Sequence, residues 1–572
     1  MAKSTHGRGV EGISRRGLII GGGAAAAAAT LGAASPAMAA SADKPTDGGG
    51  DLLLVNGRIH LGDEHDTVVG EVRIRDGRFV ALGKDAQKAG GQATRIDLGG
   101  RTVIPGIVDS HNHIVLVGNR PGYHELLEDV FTIPDAVARL QARAAHVPAG
   151  QFITTVGPIS AMQFREGRLP NLTELSAVNR PVFLEAAQGG VVTNQLGKDY
   201  FESKGIAVGA TGTLSGSAFG TGAAGQALLA LRQDFLTDDS RERTTLGALQ
   251  YYAGLGITTH FDSGAFHTDE PSGAIFNENK YTMHKPFLAL NRAQKLPVRL
   301  RVDFAEEDMD ASVPQLTQRL KDSFPFFGND MLRTGAIGEW TAGGLTGMGT
   351  PVWLEGTRAV AKARWRNENH SLTTADFKAI IDGWNQVNQE FPITDLRWVV
   401  AHVPFITAEY VQKLKGLGGG LKVGWGAVRS GALQGPPYRT ILSSGIPTAY
   451  HSDGGDITVI NPWLNLYTMV TGKNLRGDLI NEGQAISRVD AIRLATSTSS
   501  WFLQEDDLGD GIKVGNHADL AVLDRDFFSV PESQITGTKS VLTIVGGDIV
   551  HDAGVLPAPR GGWEDGLHRY GH

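Results

Sequence analysis

Cysteine is absent from the 572-residue chain. That excludes disulfides, thiolate metal sites and thiol nucleophiles, so any metal must be held by histidine, carboxylate or water. Positive charge is scarce as well. The 53 Lys and Arg against 61 Asp and Glu leave a formal net charge of -8, which disfavours nucleic acid and anionic membranes as partners. There is no repeat of fixed period, and no G-x-G-x-x-G follows an early strand. The glycine-rich "GTLSGSAFGTGAAG", residues 212 to 225, lacks the lysine-threonine pair of a phosphate loop and reads as a mobile loop over an active site. Glycine, by contrast, is plentiful at 75 residues, which fits many tight loops. With 41% hydrophobic and 20% charged residues the chain has material for a large core.

Residues 1–40 read as an address. "ISRRGLIIGGGAAAAAATLGAASPAMAA" joins the pair Arg15 and Arg16 to a weakly apolar run and to Ala37-Met38-Ala39, an A-x-A-type cleavage site. Its Ala and Gly content makes a poor membrane span. The expectation is a twin-arginine signal peptide, the twin-arginine export machinery as a partner, a periplasmic or extracellular mature protein and no stable span after cleavage. "SADKPTDGGGD" has the composition of a linker.

The mature chain opens with short strand signals broken by Asn-Gly, Asp-Gly and Gly-Gly turns, and the same texture returns in "NHADLAVLDRD" and "KSVLTIVGGDIVHDAG". Between them, apolar runs such as "RPVFLEA", "GITTHFD", "VRLRVDF", "RTGAIGEW", "LRWVVAHV", "LKVGWG" and "IPTAYHSD" alternate with helical segments. "TIPDAVARLQARAAH", "TADFKAIIDGWNQVNQ" and "SRVDAIRLAT" are the clearest helices. Alternation over this length points to an α/β fold, a (β/α)8 TIM-like barrel at 106–503, with segments 41–105 and 504–572 meeting as one sheet domain.

One run, "VIPGIVDSHNHIVLVG" at 103–118, carries Asp109, His111 and His113 where a doubly buried strand is otherwise apolar. Residues two apart on a strand share a face, so the two imidazoles point together, as two nitrogens on one cation require. The letters HNH also name a nuclease motif, but its members are spread over a hairpin and a helix, and this chain is acidic. Further polar residues end later runs: Glu339, His370, His402 and Asp453. Each alone reads as a helix cap or loop residue; in barrel order they read as a site. His260 and Asp262 suit a pocket lining or a satisfied structural pair equally. His124 reads as a loop or helix-start residue, and Trp340, Trp365 and Trp425 as core or as a substrate wall.

With "VIPGIVDSHNH", "RLPNLTELSAVNRPVFLEA", "GLGITTHFDSG", "LRWVVAHVPFIT", "SSGIPTAYHSDGG" and "IKVGNHADLAVLD" in place, the chain resembles the amidohydrolase superfamily, most closely its YtcJ-like branch. The resemblance implies a metal-dependent (β/α)8 hydrolase with a small composite β-sandwich built from both chain ends. It implies that His111 and His113 hold a first metal, that Glu339 stands where it could bridge two metals, that His370 and His402 would hold a second, and that Asp453 ligates the first. A glutamate in place of the family's carboxylated lysine leaves one-metal and two-metal forms both open. A divalent metal, zinc by default and one or two ions, would make water acidic and polarise the scissile carbonyl. Asp453 would take the proton of the attacking water and return it to the leaving nitrogen, and His402 or His451 would steady the oxyanion. Two departures from the branch leave the small-molecule substrate open: "SLTTAD" follows His370, and Gly189 and Gly190 stand where relatives carry a histidine.

The expected function is hydrolysis of a non-peptide carbon–nitrogen bond of N-acyl or formamide type by an exported enzyme. Deamination and lactone or ester hydrolysis use the same chemistry. A secreted binding protein with a decayed site is the reading from another class.

Overall fold

The computed structural model describes residues 51–556 apart from 188, 219, 221, 265–279, 345, 425–434, 456, 457 and 506. Residues 1–40, expected to be a twin-arginine signal peptide, Trp425 and the tail from 557 lie outside the described residues.

Eight short strands organise the middle of the chain: β1 (Ile107–Asn112), β2 (Ile257–Asp262), β3 (Arg299–Phe304), β4 (Leu332–Ile337), β5 (Glu368–Ser371), β6 (Val399–His402), β7 (Gly420–Val423) and β8 (Thr448–Tyr450). They form two parallel four-stranded sheets, β1-β2-β3-β4 and β5-β6-β7-β8. Isolated bridges join the sheets at both margins, Ile337 to Asn367 and Asn112 to Gly454. Val108 and Phe261 from one sheet and Val399 and Ala449 from the other share a core with Phe502, Leu503 and Leu508. Both sheets therefore turn a face to a common interior.

Helices separate the strands, as parallel pairing demands. Thr374–Glu390 shows why they form: Phe377, Ile380, Ile381, Trp384 and Val387 recur at helical spacing and are buried, and Thr373 with Asp376 closes a capping box. The helix "TIPDAVARLQARAAH" is found as Ile133–Ala144, and "SRVDAIRLAT" as Arg488–Ala495. Among the described residues no helix is long and apolar enough to cross a membrane.

The two chain ends meet. Thr102–Pro105 pairs antiparallel with Leu520–Leu523, placing N- and C-terminal strands in one six-stranded sheet. A second sheet of Leu52–Val55, Val72–Arg75, Arg78–Leu82 and Thr94–Asp97 shares with it a core that includes Leu54, Ile74, Val103, Val522 and Ile544.

Three sequence expectations need correction. "RPVFLEA" belongs to neither parallel sheet around the common interior. Its strand, Val182–Glu185, sits in a separate five-stranded sheet inserted between β1 and β2. A doubly buried strand has the same pattern in either place, so periodicity could not separate them. The apolar run 114–117 is not strand: β1 stops at Asn112, and Ile114–Gly118 forms one helical turn whose Val115 N–H donates to Asp262 at 2.9 Å. The 212–225 segment is not a plain loop either, since Thr213–Leu214 pairs with Val191–Val192 and a helix starts at Ala223.

Candidate metal centre

The register at the β1–β8 margin assembles the first group of ligand candidates. Asp453 N donates to the carbonyl of His111 at 2.9 Å. The Asp109 carboxylate accepts from Ser452 N at 2.8 Å and Ser452 Oγ at 2.5 Å. The aspartate of the opening motif is thus the clamp that holds the Asp453 turn against β1. Burial pushes the Asp109 carboxyl up to about 6 against those donors.

His111, His113 and Asp453 then offer ligand atoms within 4.8 Å of one another, as do His111, Glu339 and His402. The two groups share His111. Nε2 of His111 and of His113 each lie 3.3 Å from Asp453 Oδ1, and His113 Nε2 lies 3.5 Å from Glu339 Oε2. His402 Nε2 lies 3.3 Å from Glu339 Oε1. Bonds of about 2.0–2.2 Å in tetrahedral array put donor atoms about 3.3–3.6 Å apart. These four spacings have that value, with His111 Nε2 farther from Glu339 Oε1 at 4.0 Å, and among the described residues His111 Nε2 has no hydrogen-bond partner. The residues fit a divalent cation. All are buried: His111, His113, Glu339, His402 and Asp453 are at most 4% exposed.

Both leading histidines use their other nitrogen on the protein. His113 Nδ1 lies 3.3 Å from the carbonyl of Gly264, and His111 Nδ1 lies 2.6 Å from Glu368 Oε1. Such contacts fix the tautomer and turn Nε2 toward the metal position. Glu368 accepts in turn from Lys422 Nζ. Lys422 sits over the Phe261 ring at 4.5 Å inside the sheets. Sequence reading missed Glu368 and Lys422. The available signal was a charged residue two places from His370 on the same face of β5, and a lysine within the apolar "LKVGWG".

His370 is placed differently from its expected partners. Its Nδ1 is 2.8 Å from Glu339 Oε1, so it meets the carboxylate, but it is in neither ligand group. Trp340 packs beside it at 5.6 Å between ring centres, while Trp365 is core. His260 and Asp262 form structural contacts: Asn112 Nδ2 lies 2.8 Å from His260 Nδ1, and His284 Nε2 lies 3.3 Å from Asp262. His124, in the inserted sheet, lies 3.1 Å from the Arg120 carbonyl.

Charge is tightly coupled here. Burial pushes the His111 imidazolium down, but Asp453 and Glu368 outweigh it and raise it to about 10. Burial likewise pushes the Asp453 and Glu339 carboxyls up. The surrounding imidazoles, His402 beside Asp453 and His370 beside Glu339, hold both well below the usual carboxylate range. Two carboxylates held toward their ionised form and ringed by histidines are what a hard-to-borderline cation needs. His402 and Asp453 also have left-handed backbones, φ 73° and 55°, a conformation that costs about 1–3 kcal/mol and concentrates at functional sites.

Residues 94–551 match the profile of the Amidohydrolase family. The chain belongs to that family. As an amidohydrolase it is placed among metal-dependent hydrolases. It is 26% identical over 140 residues to N-substituted formamide deformylase of Arthrobacter pascens, a match covering 23% of this chain and 26% of that enzyme. The aligned part thus spans about a quarter of that relative's length. Two solved structures share its α/β fold. An uncharacterized metal-dependent hydrolase from Pyrococcus horikoshii OT3 has TM-score 0.56 and 18% identity over 84% of this chain and 99% of that one. Zinc-complexed atrazine chlorohydrolase from Arthrobacter aurescens TC1 has TM-score 0.50 and 14% identity over 88% and 95%.

Proposed function

We propose that this amidohydrolase is an exported enzyme that hydrolyses a non-peptide carbon–nitrogen bond, an amide of N-acyl or formamide type, at the centre formed by His111, His113, Glu339, His402 and Asp453. The observation that carries the reading is the pair of ligand groups interlocked through His111, with donor spacings of 3.3–3.5 Å apart from the 4.0 Å between His111 Nε2 and Glu339 Oε1. The formamide-type substrate takes support from the local match to the deformylase. In the same reading the eight strands act as one (β/α)8 barrel with the end-to-end sheets as its sandwich, and residues 1–40 direct twin-arginine export.

A divalent cation, zinc by default, would supply Lewis acidity and make a water acidic at neutral pH. The protein's own groups do the rest. Asp453, held ionised, accepts a proton from the attacking water and returns it to the leaving nitrogen. Glu339 draws His370 and His402 toward the same point. Burial of every group keeps bulk water out, so these charges act at low dielectric.

The test is zinc analysis of purified protein beside a panel of N-acyl amino acids, N-substituted formamides, cyclic amides, lactones and aminated heterocycles. Wild type should hold near-stoichiometric metal and release carboxylate with free amine. The His111→Ala, His113→Ala double variant should lose the metal and more than about 10³-fold in rate. Ammonia release would reassign the protein as a deaminase. Unchanged metal content and hydrolysis in the double variant would remove the proposed centre.

A further inference from the structure

His451 is fully buried, and among the described residues neither of its ring nitrogens has a hydrogen-bond partner. Its ring lies 4.9 Å from that of His402 and 5.2 Å from that of His111, between centres. It stands two residues before Asp453, directly after β8, with its own N–H bound to the Val423 carbonyl at 3.0 Å. It is outside both ligand groups.

An imidazole carries at least one N–H in every protonation state. A buried donor left without an acceptor costs about 1–3 kcal/mol, and native proteins rarely keep one without use. Leucine or phenylalanine would fill such a place at lower cost. The backbone fixes where His451 stands, and its ring packs against both His111 and His402, which also touch each other at 4.9 Å. Its ring N–H is thus left to meet an acceptor that enters that centre.

We infer that His451 is a substrate-contacting residue whose ring N–H donates to the carbonyl oxygen of the bound amide, strengthening as that oxygen gains charge on attack by water. The inference rests on the hydrolase reading above. Bonds balance without further reagents: the oxygen takes the carbonyl π electrons, His451 keeps its proton and lends only the hydrogen bond, and collapse of the adduct restores the carbonyl as the amine leaves.

The experiment compares metal-loaded wild type with His451→Phe and His451→Asn. It measures zinc content, thermal midpoint, kcat and KM on the best panel substrate, and formate affinity by calorimetry. Loss of one such donor should lower kcat about 10²-fold with KM changed less than about threefold, and should weaken formate about tenfold. Zinc content and folding should be unchanged. Unaltered kcat and formate affinity would overturn the assignment, and so would loss of zinc, which would make His451 a ligand. If His451→Phe does not fold, His451→Asn decides. If wild type cleaves nothing in the panel the hydrolase reading fails, and formate affinity still judges His451 alone.

Discussion

Two adjoining layers inside the sheets use similar side chains to opposite ends. The lower one holds Lys422, Arg366, Glu368 and Asp303, two cations against two anions, all at most 1% exposed. Lys422 bonds Glu368, Arg366 Nη2 lies 3.8 Å from Asp303, and Asp303 accepts from Ala336 N at 2.5 Å. The upper layer holds His111, His113, Glu339, His370, His402 and Asp453, with several donors spaced at 3.3–3.5 Å. The lower layer neutralises itself. The upper one has two carboxylates and a ring of imidazoles that, once deprotonated, leave a set of donors for a divalent cation to complete. Glu368 touches both, and through His111 it couples the stable layer to the reactive one.

The largest effect is expected from breaking the lower layer. Lys422→Met leaves Glu368 as a buried anion without its ammonium and should cost about 3–5 kcal/mol of stability. In urea unfolding the loss should be the same with and without zinc. His402→Ala in the upper layer should differ in kind, costing less metal-free stability than Lys422→Met and removing most of the increment that zinc adds. That increment is about 2.7 kcal/mol at a hundredfold excess over Kd. Between these extremes, Glu368→Gln should lower zinc affinity about 10–100-fold by loosening His111, read in a chelator competition. If Lys422→Met proved as stable as wild type, the two layers would not differ in the way described.

These variants also mark what the sequence made legible. His111 and His113 stood out because polar residues at strand period interrupt an apolar run, and Asp453 because it closes another. Glu368 and Lys422 carry the same chemistry but gain meaning only when β5 and β7 lie across the interior from β1, a relation that no local spacing encodes. His451 was visible as one imidazole among several; its lack of a partner is a fact of packing. The alternation of strands and helices was readable, and so was the return of the C-terminal strands to the N-terminal sheet. The five-stranded insertion was not, because its strands are as apolar as those around the site.

A pH titration should sharpen the comparison further. The metal-free His111 imidazolium sits near 10, above the ordinary histidine value of about 6.5. Its contribution to stability is therefore complete below about pH 6.5 and fades as pH climbs toward 10. Burial pushes the Glu368 carboxyl up, but Lys422 and His111 outweigh it and hold it near 2. Its contribution is complete above the ordinary value of about 4.3 and fades as pH falls toward 2. Metal-free protein should be most stable between these limits, at about pH 5–6.5. Zinc takes the deprotonated ring, so its affinity should rise across the alkaline limb and the zinc-loaded protein should lack that decline. Parallel curves with and without zinc would mean that His111 does not meet the metal.

The smallest effect belongs to a residue near the site in sequence and absent from both layers. Thr373 caps Thr374–Glu390, the helix that follows His370, by accepting from Asp376 N at 3.1 Å, while the Asp376 carboxylate accepts from Thr373 N at 2.9 Å. Thr373→Ala removes one acceptor at an exposed helix start and should cost about 1 kcal/mol. The strand carrying Glu368 and His370 is fixed by its own ladder to β6, so zinc affinity and kcat should be unchanged while the thermal midpoint falls slightly. A drop in zinc affinity here would mean that the helix start, rather than the strand register, sets the positions of Glu368 and His370.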